Sequence, residues 1–243
     1  MSVLVVTGTG TGVGKTIVTA AIAVLAAQRG APTAVVKIAQ TGVGDDEPGD
    51  LQEISRLTGI EDLHEFARYP HPLAPAAAAR LSGRPEVDLD KAVAEIAELG
   101  AIRRLVLVEG AGGLLVRYDS DGRTLADVAR VLGAPVLVVV DPGLGTLNHT
   151  ALTLEALAHR GLELAGLVVG SWPAEPDLAA RSNLVDLTAL AARPLAGLMA
   201  ANMSSLMPRA FVAAAKTGLG PYLGGVFDAS DFVRSHRPDP PAR

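Results

Sequence analysis

Lys15 and Thr16 close the run Val5-Val6-Thr7-Gly8-Thr9-Gly10-Thr11-Gly12-Val13-Gly14-Lys15-Thr16, a pattern suited to holding phosphate. Glycines let the backbone curl so that successive N–H groups converge, and a following helix presents its positive end to the same anion. In such a loop the lysine reaches the β- and γ-phosphates of a nucleotide, and the threonine hydroxyl faces its Mg²⁺. The common spacing would put the leading glycine at position 9. That position is Thr9, and Gly8 leads instead, so the loop is one residue longer. The added residue moves more backbone toward a second substrate.

A nucleoside triphosphate brings Mg²⁺, which takes one or two carboxylates together with phosphate oxygens and water. Glu109 ends the apolar run Leu105-Val106-Leu107-Val108 and leads into Gly110-Ala111-Gly112-Gly113. Carboxyl ends of parallel strands gather at the ligand-binding edge, so Glu109 is a metal-ligand candidate. Asp50 follows an acidic loop with Asp45, Asp46 and Glu47, and chemistry alone reads it as a helix N-cap. Lys37 interrupts the apolar stretch Val35-Val36-Lys37-Ile38-Ala39, where a charge is costly unless it meets an anion. The reading sets its strand beside the first, with Lys37 aimed at the same phosphates. Two lysines on one site suit a reaction that builds negative charge on carboxyl or phosphoryl oxygens.

The elements that must position these residues follow from pattern. Short β-branched runs alternate with alanine-rich segments of helical period, which predicts a mostly parallel sheet with helices on both faces. Strands are expected at Ser2–Thr7, Thr33–Ala39, Leu105–Glu109, Val136–Val140 and Leu164–Val169, with a weaker one near Pro194–Met199. Helices are expected at Lys15–Arg29, Asp50–Thr58, Pro75–Ser82, Leu89–Leu99, Leu125–Leu132, Leu147–Arg160, Asp177–Ala191 and Pro208–Thr217. Gly42–Gly49, Ala67–Pro75 and Ala111–Arg123 read as loops inside one domain of residues 1–233. Arg234 to Arg243 carries three prolines and three arginines, and is expected to be a mobile tail.

The 243 residues are ample for one α/β domain with a buried core. Net charge is −5 with scattered basic residues, which argues against nucleic acid as a partner. With no cysteine, disulfides, thiolate zinc sites, iron–sulfur clusters and cysteine nucleophiles are excluded. No secretion leader and no apolar run long enough for a bilayer are read, so a cytoplasmic location and no membrane partner are expected. His64, His71, His149, His159 and His236 are dispersed without metal-ligand spacing.

Five segments in order resemble the dethiobiotin synthetase family, nearly end to end and weakening after about residue 195. They are Gly8–Thr16 with its longer loop, Lys37 through Gln40-Thr41-Gly42, Asp50, Glu109-Gly110-Ala111-Gly112-Gly113, and Gly145-Thr146-Leu147-Asn148-His149. The resemblance implies a P-loop nucleotide hydrolase-like three-layer sandwich. It also implies an ATP-dependent enzyme that carboxylates 7,8-diaminononanoate with CO₂ and closes the ureido ring. Lys37, Lys15 and Thr11 would be catalytic, and Thr16, Asp50 and Glu109 would hold Mg²⁺, so Asp50 passes from cap to ligand. Gly12, Val13, Gly14, Lys15, Thr16, Ile17, Asp50, Glu109, Gly110, Ala111 and Gly112 would bind nucleotide, with Gly170, Ser171, Met199, Ala200 and Ala201 toward the base. Thr41, Pro72, Leu73 and Gly145, Thr146, Leu147 and Asn148 would bind the diamine substrate. The last four would act across a homodimer, receiving the partner chain's substrate carboxylate.

Two departures stand out. Ile38 replaces the family's proline after the lysine, and Leu198-Met199-Ala200-Ala201-Asn202 lacks the usual proline, leaving the choice among ATP, CTP and other nucleotides open. The rival is a partitioning or regulatory P-loop ATPase switch. Gly10 speaks against it, because such switches carry a second lysine there, as does the absence of a basic face or amphipathic membrane tail. Another ATP-dependent amide or carboxyl ligase is a second alternative that fold alone would not separate.

Overall fold

The computed structural model describes residues 2–238. Among the described residues nine strands run in the order β1 (Val3–Gly8), β2 (Thr33–Lys37), β3 (Gln40–Thr41), β4 (Leu63–Glu65), β5 (Arg68–Tyr69), β6 (Leu105–Gly113), β7 (Val136–Val140), β8 (Leu164–Trp172) and β9 (Gly197–Ala200). Between and after them lie α1 (Lys15–Gln28), α2 (Asp50–Thr58), α3 (Pro75–Ser82), α4 (Leu89–Ile102), α5 (Leu125–Leu132), α6 (Thr146–His159), α7 (Leu178–Ala191), α8 (Pro208–Gly218) and α9 (Ala229–His236).

Seven strands form one sheet in the order β4-β2-β6-β1-β7-β8-β9, and every pairing in it is parallel. The remaining two, β3 and β5, pair in parallel on their own. Side chains alternate across the sheet, as the pleat requires. Val3 and Val5 join a core under α3 to α7 and α9, while Leu4 and Val6 join a core under α1, α2 and α8. Buried on both faces, the strands read as continuous apolar runs. The result is the expected α/β three-layer sandwich.

Several expectations need correction. The second strand does not lie beside the first, because β6 is inserted between them. In that register Lys37 stands opposite Glu109, which in turn stands opposite Val6. A lysine and a glutamate side by side explain how an apolar strand tolerates a charge. The strands β3, β4 and β5 went unread because two or three residues carry no period, and β5 lies inside a segment expected to be loop. β6 and β8 also run on, to Gly113 and Trp172, and α6 starts one residue early at Thr146. The expected tail begins too soon. Arg234 to His236 complete α9, whose Asp228 caps the N–H of Asp231 at 2.9 Å and whose Phe232 packs edge-on against Trp172. Positions 239–243 of that segment lie outside the described residues.

Candidate active site

The glycine-rich turn follows β1 and opens α1. Gly12 and Gly14 both have positive φ, 78° and 97°, a backbone region glycine enters without cost. Gly14 also lies against β8: a Cβ on Gly14 would sit 2.4 Å from the Gly170 carbonyl oxygen, and one on Gly170 1.9 Å from that of Val13. These glycines are what let the loop touch the end of β8. Lys15 folds back over the turn, its Nζ donating to the Gly10 carbonyl at 2.9 Å. Burial, opposed by the attraction of Glu109, lowers its pKa to about 8.

Beside the loop three charged groups meet. Lys37 Nζ donates to Glu109 Oε1 at 2.7 Å and forms an ion pair with Asp50 Oδ2. Thr16 Oγ1 donates to the same Glu109 oxygen at 3.0 Å. Burial alone would favour a neutral Lys37 amine, but Glu109 and Asp50 outweigh it and hold the pKa above the ordinary lysine value. Glu109 is fully buried, yet its Oε2 has no hydrogen-bond partner. A buried carboxylate oxygen left free in this way is a ready ligand atom. Together with the Thr16 hydroxyl and the Asp50 carboxylate it makes a hard-oxygen set, which is the chemistry Mg²⁺ requires.

Asp50 is not the helix cap that its position first indicated. Gly49 takes that place, its N–H donating to Gln52 Oε1 at 2.9 Å, and Asp50 is the first residue of α2. From there its side chain reaches Lys37.

A cleft of about 640 Å³ lies over this cluster. Its walls bring together Thr11, Gly12, Gly14, Lys15, Thr16, Ile17, Lys37, Thr41, Asp50, Pro72, Leu73, Glu109, Ala111 and Gly112. Other expected residues lie elsewhere. Val13 packs into the core, and Gly110 is buried against Leu125. Gly145, Thr146, Leu147 and Asn148 are at the start of α6, outside the cleft, with Thr146 buried. Gly170 and Ser171 lead into Trp172 at the end of β8, and Ala201 donates its N–H to the Trp172 carbonyl at 2.7 Å, so the ends of β8 and β9 are joined. Met199 is fully buried in the core, while Ala200 is exposed.

Two residues went unread. Gln40, 4% exposed, accepts the Asp50 N–H at 2.9 Å. It stands in the quoted segment after Lys37, but nothing in the sequence told what its amide would meet. Tyr118 is wholly buried, and its hydroxyl accepts the Ala111 N–H at 2.7 Å, restraining the chain just after Glu109. Its loop position carried no signal at all.

A family model described as an AAA domain matches residues 2–202. A protein of Frankia casuarinae named ATP-dependent dethiobiotin synthetase BioD is 66% identical over 232 residues, covering 96% of this chain and 98% of its own. One of the same name from Streptomyces coelicolor is 56% identical over 238 residues, covering 98% and 100%.

This chain belongs to the dethiobiotin synthetase family.

Solved structures add the shape. The MinC:MinD cell division protein complex of Aquifex aeolicus matches with a TM-score of 0.58 at 15% identity, over 100% of this chain and 99% of that one. The septum site-determining protein MinD of Pyrococcus horikoshii, complexed with Mg-ADP, matches at 0.53 and 16%, over 96% and 93%. At such identities the likeness is one of fold. The dethiobiotin synthetase relatives therefore carry the family, and the MinD structures only the P-loop sandwich beneath it.

Proposed function

We propose that this protein is an ATP-dependent dethiobiotin synthetase that joins 7,8-diaminononanoate and CO₂ into the ureido ring, releasing ADP and phosphate. The observation that carries the reading is the meeting of Lys15, Thr16, Lys37, Asp50 and Glu109 on one cleft in a chain of this family. One amine of the substrate takes up CO₂ as a carbamate and loses a proton. A carbamate oxygen attacks the γ-phosphorus, the bond to ADP breaks, and a carbamic–phosphoric anhydride forms. The second amine attacks the carbonyl carbon, the C–O bond to phosphate breaks, and the ring closes.

No side-chain nucleophile is required, so the residues act by placement and charge. The N–H groups of Gly12 to Thr16 and the Lys15 ammonium receive the phosphates. Lys37 and Thr41 hold the carbamate, and Thr11 stands at the mouth of the loop between the two substrates. Pro72 and Leu73 supply an apolar wall for the aliphatic chain. Thr16, Asp50 and Glu109 would hold Mg²⁺, which neutralises charge on the transferring phosphoryl group.

The reading includes a homodimer. At the opening of α6 the Thr146 N–H is taken by the Gly143 carbonyl at 3.2 Å, which leaves those of Leu147 and Asn148 to receive a carboxylate, and Gly145 to Asn148 lie away from their own chain's cleft. Nearby Leu144 and Leu152 are 95% and 56% exposed, apolar surface that a second copy would cover. Gly170, Ser171, Met199, Ala200 and Ala201 are assigned to the side of the site that takes the base. The protein is taken to work in the cytoplasm; among the described residues no helix is long and apolar enough to cross a membrane.

The test is to supply 7,8-diaminononanoate, bicarbonate, ATP and Mg²⁺ and to look for dethiobiotin by mass spectrometry. Dethiobiotin formed in step with ADP supports the reading. ADP release that ignores the diamine would sink it.

A further inference from the structure

Of the three charged groups that meet beside the phosphate loop, Lys37 and Glu109 come from strands and Asp50 from a helix. Lys37 and Glu109 stand on neighbouring strands in fixed register. Asp50 opens α2, where the first N–H groups have no partner within the helix. Its own N–H donates to Gln40 Oε1 at 2.9 Å. Gln40 is buried and belongs to the small sheet of β3 and β5, and its Nε2 donates to the Thr41 carbonyl at 3.3 Å, which orients the amide. Gly49 leaves it room: a Cβ there would lie 2.8 Å from Gln40 Oε1.

The other strand of the small sheet ties down the approach to α2. Arg68 stands opposite Gln40 and grips Glu65 through Nε at 2.7 Å and Nη2 at 2.9 Å. Its Nη1 donates to the carbonyls of Gly44 and Glu47 at 3.0 and 2.8 Å. The small sheet thus holds the loop before α2 and the first N–H of the helix itself.

We propose that Gln40 is the positioning residue for Asp50, setting where that carboxylate stands beside Lys37 and Glu109 and so how tightly the site takes Mg²⁺ with nucleotide. The inference rests on the reading of Asp50 as a metal ligand. Partners of metal ligands characteristically alter metal affinity by about 10- to 100-fold when removed.

The experiment measures ATP binding by calorimetry without diamine, once in EDTA and once in excess Mg²⁺, and takes the ratio as the metal's contribution. Asp50→Asn tests the underlying reading and should shrink that ratio. Gln40→Met keeps the length without the acceptor, and should shrink it about tenfold with the EDTA affinity unchanged. Gln40→Glu keeps an oxygen for the Asp50 N–H and should retain most of the ratio. Gly49→Ala presses a methyl on the same oxygen, and stands in for Gln40→Met, with the same expected fall, where Gln40→Met folds poorly. A ratio that falls in Asp50→Asn but holds in Gln40→Met and Gly49→Ala overturns the role of Gln40. Equal weakening with and without metal shows a merely structural part and overturns it too. A ratio unmoved by Asp50→Asn instead removes the metal reading of Asp50.

Discussion

The carboxyl ends of β2 and β6 and those of β8 and β9 share one edge of the sheet, but they are built differently. At β2 and β6 a buried lysine meets a buried glutamate in strand register, with Asp50 and Thr16 closing around them. The ends of β8 and β9 are the uncharged residues Gly170-Ser171-Trp172 and Met199-Ala200, with Gly170 against the phosphate loop, Met199 buried and backbone groups joined across the strands. The first region works through side-chain chemistry, the second through shape. Buried charges tolerate little loss because each leaves its partner uncompensated. A region that works through its backbone should tolerate side-chain change except where space itself is the function.

The largest effect is expected at Glu109. Glu109→Ala leaves Lys37 buried with Asp50 alone, and should lower unfolding stability by about 3 kcal/mol in denaturant titrations, with turnover lost. A loss below about 1 kcal/mol, the scale of an exposed pair, would place the cluster with ordinary surface charge. Lys37→Gln should slow turnover by about a hundredfold or more, with nucleotide affinity in EDTA retained. A matching fall in that affinity would give Lys37 a binding role instead.

In the other region the sensitive point is Gly170. Gly170→Ala drives a methyl into the Val13 carbonyl, and should cost about 1–3 kcal/mol and weaken ATP binding by displacing the loop. Unchanged thermal midpoint and ATP affinity would mean that the contact is not what holds the loop.

The smallest expected effect is one of pH. Burial lowers Lys15 to about 8, so the nucleotide-free protein keeps this proton below that pH and sheds it above. Phosphates need the ammonium, so ATP affinity in EDTA should be flat below pH 8 and fall by up to about tenfold per unit above it. A flat profile to pH 9.5 would show Lys15 at its ordinary value.

The same contrast explains what could be read in advance. Lys37 and Glu109 announced themselves, because a charge in an apolar strand and a carboxylate at a strand end each need a reason. The alternation of apolar runs and helical segments was enough for the sandwich. It could not place β6 between β1 and β2, since strand order depends on which crossover packs best and leaves no local mark. Gln40 and Tyr118 stayed hidden because an amide or a phenol reveals its partner only when the chain closes. α9 was lost for a related reason: its polar composition gives no sign that Phe232 would find Trp172.

Fold alone would equally suit a P-loop switch in which water attacks the γ-phosphate. The decisive measurement traces oxygen. With ¹⁸O-labelled bicarbonate in rapid single turnovers, the attack of a carbamate oxygen predicts one ¹⁸O in the released phosphate, and only when the diamine is present. Unlabelled phosphate formed at the same rate with or without diamine would contradict the account.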